Sequence, residues 1–186
     1  MAIQIAQDPH ADEVLTHHSF ALLAGMMLDQ QFPMERAFAG PAKVLDRFGT
    51  LDPAAIADAD PDTFADLCAT PPAIHRYGRS MAGRLQQLAR VVADDYDGDA
   101  SRIWTEPRTG DALIARIRDL PGFGEQKSRI FTALLAKQLG IKPRGWTTVT
   151  GDYGRKGFRS VADVVDADSL AKVRAFKQQA KADAKA

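Results

Sequence analysis

Leu120-Pro121-Gly122-Phe123-Gly124 lies between two stretches with helical spacing, and no other segment limits the possible folds so tightly. Before it, Leu113, Ile114, Ile117 and Leu120 recur at i, i+1, i+4 and i+7, behind Thr109 as a cap. After it, Glu125 opens a second helix with Ile130, Phe131, Leu134 and Leu139 inward, and Gly140 closes it. Pro121 stiffens the entry, and the two glycines permit φ > 0 and a close approach to the main chain. The first N–H groups of a helix lack intrahelical acceptors and sit at the positive end of its dipole. Such a hairpin is therefore a cradle for a phosphate. The alternative is a plain helix–helix corner with a glycine cap.

The remaining punctuation is also helical. A helix is expected from Asp12 through Asp29, amphipathic at first and then apolar all round, and another over 34–48, ended by Gly49. Asp52-Pro53 and Asp60-Pro61 start short helices, Pro71-Pro72 breaks the chain, and a striped helix runs from about Tyr77 to Ala93. Residues 94–107 and 141–159 read as loops, the second holding four glycines. Ser160 and Asp163 suit a capping box, and a last helix spans about 169–182. Strand-like alternation and internal repeats are nearly absent, so the fold class is all-α, with nine or ten helices.

The chain has 186 residues and no net charge, but its charge is uneven. Residues 49–75 carry five acids and no Lys or Arg. Residues 121–160 carry eight basic residues against Glu125 and Asp152. A local basic field suits a polyanion, though a solvated face has the same composition. The single cysteine, Cys68, excludes an internal disulfide and a four-cysteine metal or iron–sulfur site, and reads as a small buried hydrophobe. The histidines show no metal-ligand spacing. The longest apolar run, Phe20–Leu28, is less than half of the roughly 20 residues a membrane span needs. With no basic leader in view, the expectation is a soluble cytoplasmic protein.

LPGFGEQKS resembles the hairpin of the helix-hairpin-helix-GPD superfamily of base-excision DNA glycosylases. Phe20–Gln31 (FALLAGMMLDQQ) resembles that family's early buried helix and the glutamine-bearing loop after it. The likeness covers most of the chain, about residues 14–155, and is greatest to small bacterial members. It implies one two-lobed, helical unit over 1–186, with about 1–20 plus 141–186 in one lobe and about 21–140, carrying the hairpin, in the other. It also implies a nucleoid-associated monomer acting on double-stranded DNA that contains a damaged base. Gly122, Phe123 and Gly124, followed by Gln126, Lys127 and Arg129, would form the phosphate-binding set. Gln30 or Gln31 would enter the space left by an extruded nucleotide, unless they merely end the helix. No iron–sulfur cluster is implied, but a monovalent cation could sit at the hairpin.

Two departures shape the expected chemistry. Lyase members place a lysine two residues after the second hairpin glycine, where this chain has Gln126. Lys127 follows one residue later, turned by about 100°. It is therefore expected to face solvent or a phosphate, leaving a monofunctional N-glycosylase. The family's catalytic aspartate follows the hairpin by about twenty residues, but here the first acid after Glu125 is Asp152. Asp152 is the candidate catalytic carboxylate after a loop insertion, or else a turn residue between glycines. Trp146 and Tyr153 flank it as stacking partners for an extruded base, or as core residues. The alternative function is a non-catalytic DNA-binding module that kept the hairpin.

Overall fold

The computed structural model describes residues 2–186. Eleven α-helices follow one another: α1 Pro9–His17, α2 Ser19–Leu28, α3 Met34–Phe48, α4 Pro53–Asp58, α5 Pro61–Ala69, α6 Gly78–Asp95, α7 Arg102–Thr105, α8 Gly110–Arg118, α9 Glu125–Leu139, α10 Trp146–Thr150 and α11 Ala167–Lys185. Short 3-10 turns cover Gly151–Gly154 and Val161–Asp163. Among the described residues there is no strand, apart from one isolated bridge between Thr109 and Arg144. No described helix is long and apolar enough to cross a membrane.

The expected helix over Asp12–Asp29 is two helices. His18 is extended (φ −120°, ψ 108°), and its N–H closes α1 on the Val14 carbonyl. The break gives α2 its own axis, so every α2 residue after Ser19 is buried. Helices α1, α3 and α6 pack around it. Small residues allow this closeness: a Cβ on Gly25 would lie 2.6 Å from Phe38, and one on Gly40 would lie 2.7 Å from Leu28. Helix α1 thus packs on α2 and α3, across the lobe division expected near residue 20.

Both expected loops contain helix. Residues 94–107 include α7, which buries Ile103 and Trp104, and residues 141–159 include α10 and a 3-10 turn. Each is a few residues long, too short for helical periodicity to show in sequence. Glycines punctuate the second segment, Gly145 (φ +82°) before α10 and Gly151 (φ +57°) after it. The final helix runs three residues past the expected end, with the Asp166–Ser169 capping box at its start.

Candidate nucleic-acid interface

The hairpin forms as the sequence requires. Gly122 takes φ +84°, and a Cβ there would meet Met27 Cγ at 2.9 Å, so the turn seats directly on α2. Gly124 is different: φ is −82°, and an added Cβ meets nothing within 4 Å. Phe123 buries its ring 5.9 Å from Phe131, so only its main chain is available at the surface. The Phe123 N–H is engaged by the Leu120 carbonyl. The Gly124 carbonyl accepts from Ser128 N–H and Ser128 Oγ. Among the described residues, the N–H groups of Gly124, Glu125, Gln126 and Lys127 have no acceptor in the protein. These are the orphan donors of α9, grouped at the positive end of its dipole. Of the hairpin carbonyls, those of Leu120 and Gly124 already accept hydrogen bonds.

Between the end of α2, the start of α9 and the last turns of α11 lies a cleft of about 580 Å³. Asp29, Gln30 and Gln31 line it from the loop just past α2, Gln126, Lys127 and Ile130 from α9, and Lys177 and Lys181 from α11. Tyr153 and Arg159 complete the rim. Gln126 donates to Tyr153 Oη at 2.9 Å, tying the hairpin helix to the 3-10 turn.

Lys127 does not face solvent. It is half-buried and donates from Nζ to the Met27 carbonyl at 2.9 Å. Burial, with help from the Arg84 charge and against that of Asp29, lowers its pKa to about 8. A cation is favoured there because α2 ends at that carbonyl. The sequence held a signal for this: Lys127 is one turn before Ile130 and Phe131, on the inward stripe of α9.

Asp152 is placed outside the cleft. Its side chain is 70% exposed and pairs with Arg155 at 3.1 Å. The positive-φ turn at Gly151 aims the segment so that the next residue, Tyr153, reaches the rim instead. Trp146 does not line the cleft either; it packs beside Thr150 and Gly154. The cleft's own acid is Asp29, which no sequence expectation singled out. It ends a helix that is otherwise buried all round, and burial raises its carboxyl pKa against the pull of Lys177 and Lys127. That polar stop to an apolar helix was legible as a site signal.

The two glutamines are also separated. Gln30 is half-buried, with Nε2 turned back to the Met27 carbonyl (3.4 Å) and Met81 Sδ (3.7 Å). Gln31 is exposed, in a left-handed conformation (φ +51°) that costs a non-glycine residue energy. His75 supports the loop from beneath. Its Nδ1 accepts from Tyr77 N–H, so Nε2 carries the proton and donates to the Gln30 carbonyl at 2.8 Å. Phe32 packs on the same imidazole at 4.7 Å, and burial lowers the His75 pKa, keeping this tautomer neutral.

Much of the basic stretch is internally paired. Arg129 pairs with Glu125, Lys137 with Asp163, and Arg155 with Asp152. Asp163 combines its capping-box role with the Lys137 pair, fixing the Val161–Asp163 turn against α9. Cys68 is fully buried, and desolvation raises its thiol pKa to about 12, so it is not a reactive group.

Residues 24–186 match the family described as HhH-GPD superfamily base excision DNA repair protein. No curated protein and no solved structure gives a significant match to the chain.

Proposed function

Because the chain belongs to the HhH-GPD superfamily of base excision DNA repair proteins, we propose that it is a monofunctional DNA N-glycosylase. It binds duplex DNA, extrudes a damaged nucleotide into the cleft and hydrolyses the bond between base and sugar, leaving an abasic site. A base inside a duplex is out of reach, so extrusion is required. The observation that carries this reading is the sharing of one rim. The free α9 N–H groups, the exposed Gln31 and the acid-bearing cleft adjoin one another. The hairpin anchors a phosphate through Gly124 and the N–H groups after it, while Arg129 neutralises Glu125 beside them. Gln31, already strained and solvated, occupies the vacated stack, while Gln30 braces the loop. Tyr153 and Gln126 form the wall nearest the extruded base. Lys177 and Lys181 lie on the opposite wall within reach of flanking phosphates.

The test is a panel of duplexes each carrying one defined base lesion, with abasic sites revealed by alkali. Release of one lesioned base is expected. Tight, steeply salt-dependent duplex binding without any release would establish the non-catalytic module instead.

One observation favours a second reading. Lys127 lies in the cleft with its pKa lowered to about 8, so at pH 7 about a tenth of it is unprotonated. Such an amine can form a Schiff base with an abasic aldehyde. Borohydride is expected to trap no protein–DNA adduct, because Nζ is turned back to the Met27 carbonyl. An adduct that disappears in Lys127→Ala would make the enzyme a lyase as well.

A further inference from the structure

Among the described residues, Asp29 is the single acid lining the cleft, and the fold does not use its carboxylate. Its main chain ends α2, with the N–H on the Gly25 and Met26 carbonyls. Among the described residues, its side chain makes no hydrogen bond and no ion pair. Asp8, Asp52, Asp60 and Asp166 stand at helix N-termini and cap main-chain N–H groups, a role that the C-terminal position of Asp29 does not offer. Half-burying a carboxylate without a donor costs free energy, so folding alone does not account for Asp29. The groups charged toward it are Lys127 on α9, Lys177 on α11 and Glu35 on α3. Glu35 is itself held by Arg174, and Lys127 by the Met27 carbonyl. The two lysines favour the ionised carboxylate without touching it.

We propose that Asp29, at the end of α2 and inside the cleft, is the catalytic carboxylate of this enzyme. The inference rests on the glycosylase reading above. The bond from sugar C1′ to the base nitrogen breaks, and its electron pair leaves on the base, which takes a proton from solvent. The positive charge left on C1′ and O4′ faces the Asp29 carboxylate. A water adds its oxygen to C1′ and gives a proton to that carboxylate, which returns it to solvent. The products are the free base and an abasic sugar. Asp152, 70% exposed and paired with Arg155, has its field screened by water and cannot act this way from its place outside the cleft.

Two abasic analogues test this without knowledge of the lesion. One duplex carries a tetrahydrofuran residue, which is neutral; the other carries a pyrrolidine, whose protonated nitrogen mimics the cationic sugar. The wild type is expected to bind the cationic analogue about 10-fold or more tightly, as a carboxylate in a shielded site should. Asp29→Asn removes that preference and leaves affinity for the neutral analogue within a few-fold, whereas Asp152→Asn keeps it. On a verified lesion, Asp29→Asn also cuts base release by about 10²-fold. Its thermal midpoint equals or exceeds that of the wild type, because the substitution removes an unpartnered half-buried charge.

A preference that survives in Asp29→Asn, or that vanishes in Asp152→Asn, overturns the assignment. So does a lower midpoint for Asp29→Asn, which would make the residue structural. A wild type that favours abasic over intact duplex but ignores the charge overturns Asp29 alone. One that does not favour abasic DNA at all overturns the glycosylase reading, and this assignment with it.

Discussion

On one side of the cleft, the end of α2, the glutamine loop and the hairpin are fastened to the core. Gly122 sits on Met27, Phe123 against Phe131, and His75 under the Gln30 carbonyl. On the other side, α11 buries Ser169, Leu170 and Val173 in its first turns and nothing beyond them. Phe176 is 42% exposed, and the lysines that follow carry their charge at the rim. The first wall can hold a group at a fixed place away from water, as the Lys127 bond to the Met27 carbonyl shows. The second can offer charge to a phosphate but cannot shield it from water. The proposed chemistry would belong to the fastened wall, and electrostatic attraction of DNA to both.

The sharpest test of this contrast lies within the hairpin. Gly122→Ala should destabilise the protein by about 2–3 kcal/mol in urea unfolding, combining a left-handed backbone with a clash on Met27. Gly124→Ala should leave unfolding unchanged, because its Cβ meets open space and its φ is ordinary. The same variant should weaken duplex binding by about 1–3 kcal/mol, since the methyl stands where a phosphate approaches. If both variants affect only stability, the hairpin is a corner and not an anchor.

Lys127 gives a smaller effect with a defined sign. Its folded pKa of about 8 lies below its ordinary 10.5. Between those values the unfolded chain holds a proton that the folded protein has released, so stability rises with pH across the window and is reduced below it. The raised Cys68 pKa works oppositely above pH 9, so the useful quantity is the difference from Lys127→Met. The wild type should gain about 2 kcal/mol on that variant from pH 8 to 10. No gain would mean that Lys127 is solvated and the first wall less enclosed than its packing indicates.

The smallest effect is expected from α11. Lys177→Ala with Lys181→Ala should change duplex affinity only a few-fold at moderate salt. The slope of log affinity against log salt should fall by roughly one to two, about 0.9 for each phosphate no longer neutralised. Thermal stability should not change. An unaltered slope would confine the interface to the first wall.

Helices and hairpin were legible because their signals are local. The α8 and α9 stripes, the Gly49 and Gly140 stops and the aspartate caps before Pro53 and Pro61 each lie within a few residues of what they specify. The turn of LPGFG follows from proline and glycine stereochemistry. His18 gave no such signal, since an extended residue between two helical runs has no composition of its own.

Local chain chemistry therefore specifies an all-α fold with a phosphate-ready hairpin and a glutamine loop after a buried helix. Which side chains share the cleft is a matter of tertiary packing. Asp29, Lys127 and Lys177 come from three helices far apart in the chain, and no local pattern relates their directions. Asp152 is near the hairpin in sequence, yet the turn at Gly151 leaves it in water beside Arg155, while Asp29 stands between two lysines at the end of a buried helix. Helical period fixes a residue's face on its own axis; the packing of axes fixes what that face meets.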